Sequence, residues 1–333
     1  MKEISFNDLS GKVVAIDASI FLYQFLTTIR SADGQLLMDS KGQVTSHLVG
    51  LFSRTTNLMQ KGIKPVYVFD GKVPLLKQVE RDRRKELKIE AERKYQEAVE
   101  KEDVDEMKKY AARTTRLTSE MVVEAKELLY ALGVPVIEAA SEGEAQAAYL
   151  VKKGDAFCVA SQDADCLMFG ATRLVKNLSI AGRKKKAGSI AYTTIEPEII
   201  FLDENLSNLG ISHEQLIALC MMVGTDYNPG GIKGIGPKNA LKLVRQYGTD
   251  FDRLFNDVKW GNYFSYNWKE VYDLIINIPV SDDYTLKWWD VDINRLKALL
   301  VDKHDFSNER VDSTISKLIE LKEKKTQKSL FDY

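Results

Sequence analysis

Seven carboxylates in this chain stand where an acid needs a reason. Asp17 closes the apolar run of "KVVAIDAS" (12–19), Asp70 closes "KPVYVFDG" (64–71), and Asp163 and Asp165 close "DAFCVASQDAD" (155–165). Glu142 and Glu144 fall in "SEGEAQAAYL" (141–150), and Asp226 lies in "VGTDYNPG" (223–230), at the end of another apolar stretch. A carboxylate beside buried surface costs free energy unless donors or cations compensate it. Each acid alone has an ordinary reading as a turn residue or helix cap, and Ser141 with Glu144 matches a capping box. Brought together, the seven would repel one another and call for cations. Oxygen donors with no histidine or cysteine at ligand spacing suit Mg²⁺ or Mn²⁺, and two such ions can clamp the attacking and leaving oxygens of a phosphodiester.

The elements that must position these acids follow from the pattern around them. The runs ending at Asp17, Asp70 and Asp163 read as buried strands. Between them are helical patterns: 44–61, with Leu48, Leu51, Phe52 and Met59 near one face; Val122, Ala125, Leu129 and Leu132, stopped by Gly133 and Pro135; and 145–153. Apolar strands alternating with helices predict an α/β fold, a central parallel-type sheet flanked by helices on both faces. Ligands bind such sheets beyond the carboxyl ends of the strands, where these aspartates stand.

Two segments break the rhythm. Residues 77–118 are highly charged, with a thin apolar stripe of Leu87, Ala91, Tyr95 and Ala98; from Lys77 to Lys94, eight bases face five acids. This reads either as a solvated helical hairpin or as an inserted arch whose basic side faces a phosphate backbone. The second segment, "GGIKGIGPKNALKLV" (230–244), reads as a helix, a Gly-rich turn and a helix beginning near Pro237. Gly234, Gly236 and Lys238 there suit backbone contact with phosphate; a tight helix–helix connection is the alternative. Further bases cluster in "GRKKKAG" (182–188) and in the Lys-rich end after 317.

Bulk composition bounds the rest. The chain has 333 residues, 44% hydrophobic and 29% charged, with net charge −1, which describes a soluble globular protein with locally basic patches. No stretch is long and apolar enough for a membrane span, and the N-terminus has no apolar signal core. Three cysteines, far apart and without a C-x-x-C, fit a reducing compartment and argue against disulfides or a cysteine zinc site.

In order along the chain, "AIDAS", "YVFDG", "SEGEA", "SQDADCLMFG", "GTDY" and "GIKGIGPKNAL" resemble the structure-specific 5′ nucleases, most closely the flap endonucleases of archaea and eukaryotes. The resemblance implies a PIN-like 5′ nuclease fold over 1–320, with a helical arch at about 77–118, a helix–two-turn–helix at about 213–247, and a flexible tail over 321–333. It implies Asp17, Asp70, Glu142 and Glu144 around one metal and Asp163, Asp165 and Asp226 around a second, with two Mg²⁺ or Mn²⁺ per site and some ligands acting through water. Lys77 and Arg84 would bind the scissile phosphate and offset developing charge, and Tyr23 would stack on the base beside the cleaved bond. Gly234, Gly236 and Lys238 would hold duplex, with a potassium ion at that turn.

The implied reaction is in-line hydrolysis that removes a 5′ flap threaded beneath the arch, with 5′–3′ exonuclease activity, in replication and repair. The tail "QKSLFDY" resembles a sliding-clamp motif through Gln327, Leu330, Phe331 and Tyr333, lacking one final aromatic. The expected partners are branched DNA and the clamp, with no membrane, for a protein monomeric by itself and intracellular (cytoplasmic in an archaeon, nuclear in a eukaryote). Two departures stand out: the chain opens Met1-Lys2-Glu3 where the family has Met-Gly, and the loop "DSKGQVTSHL" carries Asp39 as its one acid. The competing readings are a bubble-cutting or exonucleolytic relative and a non-catalytic junction-binding protein of the same fold.

Overall fold

The computed structural model describes residues 1–31, 34–100, 106, 110, 114–178, 182–185 and 192–331. Among the described residues the nine strands are β1 (Lys2–Glu3), β2 (Val13–Asp17), β3 (Lys64–Phe69), β4 (Val136–Glu138), β5 (Cys158–Ala160), β6 (Arg173–Lys176), β7 (Gly182–Lys185), β8 (Tyr192–Ile195) and β9 (Glu198–Phe201). Seven of them form one sheet in the order β1-β9-β6-β5-β2-β3-β4. The five strands from β6 to β4 are parallel, while β9 joins β6 and β1 joins β9 antiparallel. The expected parallel sheet is therefore the body of a mixed one. β7 and β8 pair separately as a hairpin.

Val14, Ala15 and Ile16 are fully buried, as a central strand covered on both faces requires. Their side chains alternate: Val14 and Ile16 join one apolar cluster and Ala15 another. The first cluster is covered by α1 (Ala18–Thr28), α2 (Ser46–Gln60) and, beyond the arch helix α3 (Gln78–Glu100), by α4 (Ser119–Ala131), through Phe21, Leu22, Leu51 and Leu128. The second is covered by α5 (Gly143–Lys153), through Ala147, Leu150 and Val151. The strands are thus held from both sides, and their carboxyl ends are left at one edge.

A third cluster builds the other half of the molecule. After α6 (Asp165–Met168) and α7 (Leu202–Leu209), helices α8 (His213–Val223), α9 (Pro237–Tyr247), α10 (Phe251–Asp257) and α11 (Trp268–Ile276) pack through Met221, Val244, Phe255 and Ile275. Phe255 stacks on Trp268 with ring centroids 4.7 Å apart. α12 (Ile293–Lys297) and α13 (Asn308–Phe331) return to the first cluster through Leu296, Val311 and Ile315. No helix among the described residues is long and apolar enough to cross a membrane.

Two local expectations change. The third strand is shorter than its apolar run, so Asp163 lies in the turn after β5 and Asp165 begins α6. The capping box at 141–144 is not formed: Glu142 is the N-cap of α5 without a side-chain cap bond, and the buried Ser141 hydroxyl has no hydrogen-bond partner. Glu144 is therefore free of the capping role its spacing suggested. In the arch, α3 is one continuous helix as far as Glu100.

Candidate metal centre and nucleic-acid face

β2 and β3 run in parallel register with Asp17 opposite Val68, so Asp17 and Asp70 emerge side by side. Asp17 ends β2 and caps α1, accepting from the Ile20 N–H at 3.1 Å. Asp70 accepts from the Ser19 hydroxyl at 2.6 Å and from the Gly143 N–H at 2.8 Å. The start of α5, which carries Glu142 and Glu144, is thereby tied to the end of β3. This approach explains the glycine: a Cβ on Gly143 would stand 2.9 Å from Asp70 Oδ1. In the turn after the neighbouring strand β5, Asp163 Oδ1 accepts from the Asp165 N–H at 3.1 Å, and the Asp163 N–H donates to Ser161 Oγ at 3.1 Å.

Electrostatics join these acids into one group. Burial, then the charges of Asp70 and Asp163, push Asp17 up to about 7. Burial, then Asp163 and Asp226, push Asp165 up to about 7. Glu144 is raised well above its usual range by burial and by Asp17, Asp163 and Asp165. The charges of Asp70, Asp163 and Asp226 thus act on Asp17, Glu144 and Asp165.

Two bases of the arch reach into the group. Lys77, just before α3, places Nζ 2.5 Å from Glu142 Oε2 and 3.1 Å from Asp226 Oδ2. Against the cost of burial, Glu142 and Asp226 raise its pKa. Arg84 Nη2 donates to Asp226 Oδ1 at 2.6 Å. A cavity of about 980 Å³ opens above, lined by Tyr23, Lys77, Arg81, Arg84, Lys85 and Lys88 over Asp70 and Glu142. Tyr23 is half-exposed there, with Lys88 Nζ 5.1 Å from its ring centroid.

The donor set suits hard divalent cations, being oxygen alone. One observation points to an unmet ligand role: Glu142 Oε1 is buried and has no hydrogen-bond partner. Cys166 takes no part; it is fully buried beside Leu167 and Phe169, its thiol directed at the Asp163 carbonyl. Among the described residues no three acids, histidines or cysteines already surround a single point as a coordination shell. Lys77 and Arg84 occupy Glu142 and Asp226 instead, so ligation here requires these side chains to readjust.

The Gly-rich turn lies between α8 and α9. Gly231 has φ +56°, and a Cβ there would meet the Val223 carbonyl carbon at 2.4 Å, so only glycine fits. Gly234 is also left-handed, while Gly236 caps α9 with Pro237 at its first position. Lys238 and Lys233 are exposed beside it. Backbone N–H groups at a helix start, flanked by ammonium groups, fit a phosphate backbone. In the tail, the side chains of Gln327, Leu330 and Phe331, and all of Tyr333, lie outside the described residues.

Sequence reasoning missed Ser19, the Gly143 N–H and Glu80. Ser19 was visible inside "AIDAS", but nothing in its type announced the Asp70 contact. Glu80 was counted among the acids of a charged run, yet it is buried, accepting from Arg83 at 2.7 Å twice and from Arg84 Nε at 2.7 Å.

Comparison with known proteins shows the family. The XPG N-terminal domain matches residues 1–91 and the XPG I-region matches residues 133–226. The flap endonuclease 1 of Aeropyrum pernix is 51% identical over 317 residues, 95% of this chain and 90% of the relative. That of Pyrococcus furiosus is 50% identical over 317 residues, 95% and 92% of the two chains. Among solved structures, flap endonuclease-1 from Methanococcus jannaschii superposes with a TM-score of 0.76 at 43% identity, covering 97% of this chain and 96% of that one. The catalytic core of Rad2 in complex with DNA substrate gives a TM-score of 0.67 at 26% identity, covering 95% and 96%.

Proposed function

This chain belongs to the flap endonuclease family, and we propose that it removes 5′ flaps by hydrolysing one phosphodiester at the carboxylate edge of its sheet, using divalent metal ions. It is a structure-specific flap endonuclease, a nuclease hydrolase that binds branched DNA. The observation that carries the mechanistic reading is the convergence of Asp17, Asp70, Glu142, Glu144, Asp163, Asp165 and Asp226, from five separate chain segments, on one electrostatically coupled edge. Asp17, Asp70, Glu142 and Glu144 would hold one Mg²⁺ or Mn²⁺, and Asp163, Asp165 and Asp226 another. When bound, such ions supply Lewis-acid stabilisation of the charge that develops on the phosphate.

The chain's own residues supply the rest. Lys77 and Arg84 donate to the scissile phosphate's oxygens and offset developing charge, as preorganised cations in a partly water-excluded site do best. Tyr23 offers a ring face at the cavity for the base beside the cleaved bond. The turn from Gly234 to Lys238 grips duplex through backbone N–H groups and charge, independent of sequence, and would hold K⁺. A single nuclease domain spans 1–320, a 5′–3′ exonuclease activity accompanies flap cleavage, and the tail from Gln327 to Tyr333 docks into a sliding clamp. A non-catalytic junction binder is disfavoured, because nothing in DNA binding alone requires seven clustered acids.

The test is cleavage of end-labelled flap, nick and bubble duplexes in Mg²⁺ or in EDTA. Cutting of the flap alone or by preference, and only with Mg²⁺, is expected. Flap cleavage in EDTA, or a preference for the bubble, would sink the reading.

A further inference from the structure

Glu80 is the one buried residue from Gln78 to Glu90, only 4% exposed on a stretch of α3 that otherwise faces solvent. A carboxylate is not buried without a partner, and an exposed charged helix offers it every chance to stay in water. Glu80 instead turns inward and takes two guanidinium groups. Arg83 grips it with both Nε and Nη2 at 2.7 Å, and Arg84 Nε reaches Oε1 at 2.7 Å. Pairs at these spacings are ordinary on helices; what is not ordinary is where the second guanidinium goes. Arg84 Nη2 continues to Asp226 Oδ1 at 2.6 Å, so its guanidinium is pinned between an arch acid and an acid of the carboxylate edge.

Arg84 would otherwise be a poor tool. Its side chain is 53% exposed and carries the rotamer freedom of a long, solvated chain. Held at Nε by Glu80, the planar fork stays beside the cavity that Arg84 lines even where Asp226 turns to a cation. We infer that Glu80 is a positioning residue for the cleavage reaction: it holds the Arg84 guanidinium at the mouth of the carboxylate edge, and Arg83 holds Glu80 in turn. The inference rests on the functional reading above for the reaction that Arg84 serves. Glu80 itself touches no substrate.

The experiment is a double-mutant cycle in single-turnover flap cleavage, with flap affinity and thermal melting measured on the same proteins. E80A should slow cleavage by about tenfold while flap affinity stays within about twofold, because the loss is one of orientation, not of contact. E80Q should recover much of that loss, since an amide oxygen still accepts from Arg84 Nε. In an R84A background, E80A should change the rate by less than about twofold, whatever it does to melting. Equal slowing by E80A with and without Arg84, or no slowing at all, would overturn the inference while leaving flap cleavage by the wild-type protein in place. A wild-type protein that leaves the flap intact would overturn the functional reading and this inference with it.

Discussion

The ammonium of Lys77 lies 2.5 Å from Glu142 Oε2, linking the foot of the arch to the start of α5 across the mouth of the carboxylate edge. The same nitrogen reaches Asp226, so one base holds acids proposed for two different cations. This arrangement puts Lys77 in competition with bound metal and at the same time presents it to a phosphate. Lys77→Ala is therefore expected to tighten Mn²⁺ binding to the DNA-free protein by about three- to tenfold, through loss of a nearby positive charge. The same change is expected to slow single-turnover cleavage by about 10²–10³-fold. Calorimetric titration with Mn²⁺ reads the first effect, and weaker binding by the variant would contradict the competition.

Asp163 and Asp165 test the carboxylate edge itself. Replacing either with Ala is expected to reduce flap cleavage by on the order of 10³-fold. Flap affinity should change little, because neither side chain belongs to the Gly-rich turn or the basic arch. Gel-shift and single-turnover assays on the same preparation separate the two. Full activity in either variant would remove that aspartate from the reaction.

Much of this edge was legible because strand ends announce themselves. Apolar runs followed by Asp17, Asp70 and Asp163 carry both the element and the acid at or beyond its end in one signal, and the sheet then gathers them. The antiparallel edge was less visible: β1 is only Lys2–Glu3, too short to show alternation, and it exists because β9 offers it a partner. Glu80 was hidden for a different reason. In a charged run every acid resembles a solvated one, and only the packing beneath α3 distinguishes the residue turned inward. The apparent capping box at Ser141 failed because the chain needs the Gly143 N–H to face Asp70, a contact between segments distant in sequence.

The crowded acids also make stability depend on pH. Burial and neighbouring carboxylates push Asp17 and Asp165 up to about 7, above their value in an unfolded chain. Between pH 4 and 7, roughly, the folded protein then binds more protons than the unfolded one, so stability falls as pH rises. In EDTA the melting temperature is expected to drop by on the order of 5 °C between pH 5.5 and 7.5 from these groups. Mg²⁺ should restore more at pH 7.5, where ionised acids bind it, than at pH 5.5. Differential scanning calorimetry with and without Mg²⁺ reads this directly; a Mg²⁺ effect larger at pH 5.5 would show that these acids do not gain from the ion.

Gly143 isolates geometry from charge. It sits at the start of α5 with ordinary helical neighbours, so Ala would by itself favour the helix. A Cβ there, however, would stand 2.9 Å from Asp70 Oδ1, whose partner is the Gly143 N–H. Asp70 would have to shift, and the Ser19 hydroxyl bond at 2.6 Å would shift with it. Gly143→Ala is expected to cost about tenfold or more in cleavage, the scale of a small misplacement of a positioned group. Its melting temperature should change by only a few degrees, roughly. If the variant cleaves at the wild-type rate, the position of Asp70 does not matter to the chemistry, and the ligand role proposed for it fails with it.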